Sequence, residues 1–255
     1  MRSRAYALPV LFTGLAQITA ILFAYQLSPL LGAVSFQPVS GQPVANALIF
    51  LLLPVVGTLA YLRVRKRKHV KAFYAAMESL LVFFLTLLIL SFSYLPAPLS
   101  LAAAAAVGLF GFVSISRDMR FSKAVVALLM SSEAGAYLAI ILPAPMVYLV
   151  FLFFALYDVV AVFKGPLKRL IEEPGFAMLS MEFGSLTMGM GDEIFYSMVP
   201  ATALLLGGIY PALLSALIID LGMVATLVLL ERRKALPGLT IPLLLSLVYL
   251  LFFVR

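Results

Sequence analysis

Apolar residues along this chain come in long unbroken blocks, not in the alternating or three-to-four-residue rhythms of half-buried elements. Blocks of roughly 17 residues or more fall near 7–27, 45–62, 73–95, 99–116, 123–142, 145–163, 187–206, 210–230 and 238–254. At a helical rise of about 1.5 Å per residue, each is long enough to cross a lipid hydrocarbon core. Prolines and glycines punctuate the breaks: Pro96 and Pro98, Pro143 and Pro145, then Gly207, Gly208 and Pro211. The pattern predicts an all-α membrane protein of nine transmembrane helices, one polytopic domain over residues 1–255. Connections of only a few residues make several consecutive helices antiparallel neighbours. The longest loops are 28–44 and 164–186. The first block is expected to be a true span and not a signal peptide, because Gln26-Leu27-Ser28-Pro29 is a poor cleavage site. The alanine run 102–106 predicts close helix packing in lipid.

Composition agrees and narrows the chemistry. With 64% hydrophobic and 11% charged residues, the chain is neither an ordinary soluble domain nor disordered. The absence of cysteine excludes a disulfide scaffold, a zinc ribbon and a thiol nucleophile. The single histidine, His69, lies in the basic run 63–71, which argues against a histidine-built metal site or a Ser-His-Asp triad. No metal and no cofactor are expected.

The net charge of +7 first raises nucleic acid as a partner, but its distribution reads as topology. Of the 18 lysines and arginines, all but Arg255 fall before the first span or in 63–71, 117–123, 164–169 and 232–234. The loops 28–44, 91–98, 143–145 and 207–211 carry none. By the positive-inside rule this alternation predicts a cytoplasmic N-terminus, an external C-terminus and an odd number of crossings. The basic clusters are then lipid-headgroup contacts, and no nucleic acid is expected.

Acids carry the functional information. Asp118, Glu172, Glu173, Glu182 and Glu231 belong to cytoplasmic loops or helix ends, and Glu78 is expected to snorkel or to pair with Lys71. Glu133, Asp158, Asp192, Glu193 and Asp220 remain at membrane depth, where an ionisable group is costly and usually kept for function. For Glu133 and Asp220, which stand in no motif, a hydrogen bond to a neighbouring helix is the simpler expectation. Glu193 points about 100° round the helix from Asp192 and is expected to reach water or a cation. Asp158 lies about 9 Å from the cytoplasmic end of span six, and Asp192 lies early in span seven. Antiparallel helices joined by 164–186 put both carboxylates at similar depth, able to face each other. Two such groups in a weakly polar site share a proton, the arrangement with which aspartic proteases activate water and polarise a carbonyl.

The surroundings of the pair form three motifs. Span six reads Tyr157-Asp158 and ends Lys164-Gly165-Pro166-Leu167; span seven opens Gly189-Met190-Gly191-Asp192; before span nine stands Pro237-Gly238-Leu239. Together these resemble the presenilin family of intramembrane aspartyl proteases, which carries Tyr-Asp, Gly-x-Gly-Asp and Pro-Ala-Leu at these places. The motifs run over roughly 151–200 and 234–242, and the nine-span plan covers the whole chain. The related signal peptide peptidases share the aspartate motifs in the opposite membrane sense, whereas the basic loops here imply the presenilin orientation. Glycine at 238 departs from the family's alanine but keeps the residue small.

The resemblance implies an aspartic endopeptidase with Asp158 and Asp192 catalytic. Tyr157, Gly189, Gly191, Pro237, Gly238 and Leu239 would line the substrate. It also implies a compact microbial homologue in a cell membrane, cutting transmembrane helices without accessory subunits. A helix buried in lipid must be unwound before hydrolysis, and pairing of the extended substrate with the segment before span nine would satisfy its freed backbone. Tyr157 either bonds near the dyad or packs. Gly189 and Gly191 either admit substrate and water or allow helix packing. Pro237 either keeps its segment extended or merely starts a helix. Pro200 is expected to kink span seven. The rival readings are a proton-coupled transporter or cation channel using these acids, and an inactive membrane scaffold.

Overall fold

The structure, a computed structural model, describes residues 3–35, 38, 40–64, 70–163, 180–183, 186–230 and 237–254. Most of the basic run 63–71, the Lys164-Gly165-Pro166-Leu167 segment and Arg232–Lys234 lie outside the described residues. Nine α-helices are present among the described residues: α1 Ser3–Leu27, α2 Pro43–Val64, α3 Val70–Ser91, α4 Ala97–Ser116, α5 Arg120–Ile141, α6 Ala144–Phe163, α7 Met190–Gly207, α8 Ile209–Leu230 and α9 Thr240–Phe253. Six of them (α1, α3, α4, α5, α6 and α8) are long and apolar enough to cross a membrane. The other three are limited for separate reasons. α9 has 14 residues and α7 carries Asp192 and Glu193 in its first turn, while the side chains of α2 are described without a break only from Pro43 to Leu52.

Two differences from the sequence pattern bear on the site. First, the segment before α7 is not wholly loop. Ser180–Phe183 (β1) pairs antiparallel with Leu186–Gly189 (β2), in the register Ser180 to Gly189 and Phe183 to Leu186. A small hairpin thus joins an otherwise helical protein. Met181 and Phe183 alternate onto one buried face, and Phe183 meets Phe12 of α1 edge-on at 5.4 Å between ring centroids. Second, α7 starts at Met190, because Leu186 to Gly189 continue the strand. Gly189 therefore lies at the strand end and not inside a span.

Small residues let the helices close up, as packing in lipid requires. A Cβ on Gly135 of α5 would fall 2.8 Å from the backbone nitrogen of Met198, and one on Gly222 of α8 only 2.6 Å from Cα of Pro242 in α9. Ala16, Ala20 and Ala24 form a buried stripe on α1. Opposite that stripe, Leu8, Leu11, Leu15, Ile18 and Leu22 are exposed at helical spacing, a face made for lipid. α7 is the central element, packed against α1, α5, α8 and α9, and nearly every residue from Phe195 to Ala203 is buried. α6 packs instead on α2 and α9. Helix α9 therefore bridges the two helices that carry Asp158 and Asp192.

Candidate active site

The bridge is made at the turn that leads into α9. Proline has no amide proton and glycine weak helix propensity, so Pro237-Gly238-Leu239 stays out of helix and α9 begins at Thr240. Pro237 is three residues before the helix, which removes the reading of it as a helix-start proline. The backbone N–H of Leu239 donates to Oδ2 of Asp158 on α6 at 2.7 Å. One residue on, the Thr240 hydroxyl donates to the carbonyl of Ala155, also on α6, at 2.9 Å. From the other side, the Tyr196 hydroxyl of α7 donates to the Gly238 carbonyl at 2.8 Å.

Asp192 completes the arrangement. It stands in the first turn of α7, where the free N–H groups of a helix N-terminus favour a carboxylate. A Cβ added to Gly238 would sit 2.9 Å from its Oδ2 and 3.7 Å from the Tyr196 hydroxyl. The Gly238–Leu239 segment therefore touches both acids, Asp158 through the Leu239 N–H and Asp192 beside Gly238, and the two carboxylates are within electrostatic reach of each other. Both are half-buried. Two carboxyl groups that interact in this way can share a proton, the requirement for one to act as base while the other acts as acid.

The remaining candidates divide. Gly189 caps α7 with an extended backbone, and a Cβ there would make ordinary contact with Asp192 at 3.5 Å. Gly191 is exposed, and a Cβ on it would meet nothing within 4 Å. Neither glycine is pressed against a neighbouring helix, so packing accounts for neither. Tyr157 is half-buried with its ring edge-on to Phe154 at 6.4 Å between centroids, a packing contact. Pro200 lies within a continuous α7, where it withdraws the N–H that the Tyr196 carbonyl would otherwise bond.

Two acids are placed differently from expectation. Glu193 is not exposed to water, and among the described residues its bonded partner is not a cation: it is fully buried and accepts a bond from the Thr13 hydroxyl of α1 at 2.9 Å. The expectation took it round the helix from Asp192 without asking which neighbour occupies that side, and α1 does. Glu78 does not snorkel. It is buried, and the charge that acts on it is that of Lys123, itself bonded to Asp118 at 2.8 Å; the side chain of Lys71 lies outside what is described. Glu133 and Asp220 bond to neighbouring helices as expected, Glu133 accepting from Thr86 at 2.6 Å and Asp220 from Gln17 at 3.3 Å. Tyr196 and Thr240 were not anticipated. Their signal was spacing: Tyr196 is one helical turn beyond Asp192 on the same face. Among the described residues no group of three or more acids and histidines is placed to hold a metal ion.

No protein-family model matches the chain, and no curated protein matches it either. Solved structures do. One of a presenilin family intramembrane aspartate protease in the C222 space group superposes with a TM-score of 0.72 at 22% identity, covering 95% of each chain. Another, in the P2 space group, gives 0.69 at 20% identity over 94% of each. The fold is thus one shared with presenilin family intramembrane aspartate proteases along nearly the whole chain. With its apolar helices, that fold makes this an integral, multi-pass membrane protein.

Proposed function

We propose that the chain is an intramembrane aspartyl endopeptidase of the Gly-x-Gly-Asp type, with Asp158 and Asp192 as its catalytic pair. The observation that supports this is that one non-helical segment, Gly238–Leu239, meets both carboxylates, inside a fold shared with intramembrane aspartate proteases. One carboxylate takes a proton from water as its oxygen attacks the scissile carbonyl carbon. The other, protonated, gives its proton to the carbonyl oxygen. The tetrahedral diol then collapses, the C–N bond breaks, and the leaving nitrogen takes up a proton.

The substrate is a transmembrane helix of another protein, unwound so that its backbone pairs with the strap around Gly238. Gly191, next in sequence to Asp192 and with open space around it, would leave room for water or substrate. The single domain is oriented with the 164–186 connection in the cytoplasm, in a microbial cell membrane, and works without accessory subunits. The transporter reading has less support. Glu133 and Asp220 are each bonded to a neutral side chain of an adjacent helix, which suits helix stapling better than an ion relay.

The test uses the purified chain in detergent with a membrane-helix substrate, products being analysed by mass spectrometry. Internal cleavage of the apolar segment is expected. Proton or cation flux in liposomes without any cleavage would support the transporter instead.

A further inference from the structure

Tyr196 and Asp158 act on opposite ends of the same chemical group. The carbonyl that accepts from Tyr196 at 2.8 Å and the N–H that donates to Asp158 at 2.7 Å both belong to the peptide between Gly238 and Leu239. A peptide is planar, with its C=O and N–H pointing in opposite directions, so fixing the oxygen fixes where the N–H aims. α7 therefore sets, through one hydroxyl, the direction of a hydrogen bond made to a carboxylate on α6. The same hold keeps Gly238 beside Asp192, where a Cβ would lie 2.9 Å from Oδ2.

A buried tyrosine often needs no explanation beyond packing, and the ring of Tyr196 does lie in the main core. Its hydroxyl is a separate matter. A phenylalanine would fill the same ring volume, whereas only the hydroxyl meets a backbone acceptor that no helix satisfies. On the α6 side the strap is held by the Leu239 N–H on Asp158, with the Thr240 backbone directed at the same carboxylate, and by the Thr240 hydroxyl on Ala155. Tyr196 supplies the tie from the α7 side.

We infer that Tyr196 is a positioning residue: its hydroxyl orients the Gly238–Leu239 peptide so that the Leu239 N–H aims Asp158, while Gly238 stays seated against Asp192. This rests on the reading of Asp158 and Asp192 as the proteolytic pair. Tyr196 touches no reacting atom in this role. It acts through the peptide, and its effect is on how well the carboxylates are aligned, not on how tightly a substrate helix is bound.

Tyr196→Phe in the full purified chain isolates the hydroxyl. Initial rates over a range of membrane-helix substrate concentrations are expected to give a kcat lower by about tenfold to a hundredfold, as for small misplacements of reacting groups. KM is expected to stay within about twofold, since uniform binding is untouched. Affinity for a peptide carrying a hydroxyl in place of the scissile carbonyl, a transition-state mimic, should fall in step with kcat. An unchanged kcat, or a rise in KM alone, overturns the inference. So does a variant that fails to fold, because the bond then serves stability. No cleavage by the unsubstituted chain would refute the protease reading itself, whereas cleavage unaffected by Tyr196→Phe refutes the positioning role alone.

Discussion

The N–H of Leu239 donates to Oδ2 of Asp158 across 81 residues of sequence, at 2.7 Å. That bond joins the motif of the ninth helix to the motif of the sixth, and it explains why a stretch barred from helix by Pro237 precedes α9. A helical Leu239 would have its N–H committed to its own helix; here it is free to meet a side chain.

Gly238 leaves little room for a substituent. In Gly238→Ala the new methyl meets Asp192 Oδ2 at 2.9 Å, a flexible side-chain end that is able to turn aside. Gly238→Val adds two more carbons at a position where Asp192 and the Tyr196 hydroxyl already lie within 4 Å of the Cβ. The alanine variant should keep cleavage within roughly tenfold of the unsubstituted chain, and the valine variant should lose it by about a hundredfold or more. Both should remain folded. Rates measured on detergent-purified variants with matched unfolding midpoints check this.

Two other glycines should behave oppositely. At Gly135 an added Cβ would strike the backbone of α7, 2.8 Å from the Met198 nitrogen, and backbone does not move aside cheaply. Gly135→Ala is expected to cost about 1–3 kcal/mol of stability. Gly191→Ala meets nothing within 4 Å, so its unfolding midpoint should not fall. If the space beside Gly191 admits substrate or water, its cleavage rate should drop all the same. Thermal unfolding and cleavage assays on the two variants separate packing from access.

Thr13→Val tests the burial of Glu193. The Thr13 hydroxyl donates to this fully buried carboxyl, whose Oε1 has no partner among the described residues. Removing the hydroxyl should cost about 1–3 kcal/mol, the penalty for stranding a buried polar group. Denaturation of the variant in detergent measures it.

Cleavage should depend on pH as a bell. The working pair carries one proton: at high pH both carboxylates lose it and no acid remains, while at low pH both are protonated and no base remains. A rate that rises steadily through the alkaline range would not fit. Initial rates over a pH series, with folding monitored in parallel, give the profile.

Much of this was legible in the sequence because lipid imposes simple rules. Long apolar blocks separated by Pro96, Pro143 and Gly208 gave helices close to those observed, since a backbone in hydrocarbon has little choice but to be helical. Asp158 and Asp192 stood out for the same reason, as charges are rare there. Short-range alternation was harder. Leu186, Met188 and Met190 are apolar at spacing two, and beside an apolar helix that reads as more helix, so the hairpin was hidden. Partnerships across the fold were not legible either. Nothing in the sequence neighbours of Glu193 announces Thr13, and nothing near Tyr196 announces Gly238; those pairs exist only once α1, α7 and the turn before α9 come together.

The central claim is that Asp158 and Asp192 together perform hydrolysis. Asp158→Asn and Asp192→Asn, made separately, keep the size and shape of the side chains and remove one carboxylate each. Incubated with a membrane-helix substrate and read by mass spectrometry, each folded variant is predicted to yield no cleavage products where the unsubstituted chain yields them. Products persisting in either variant would contradict the account.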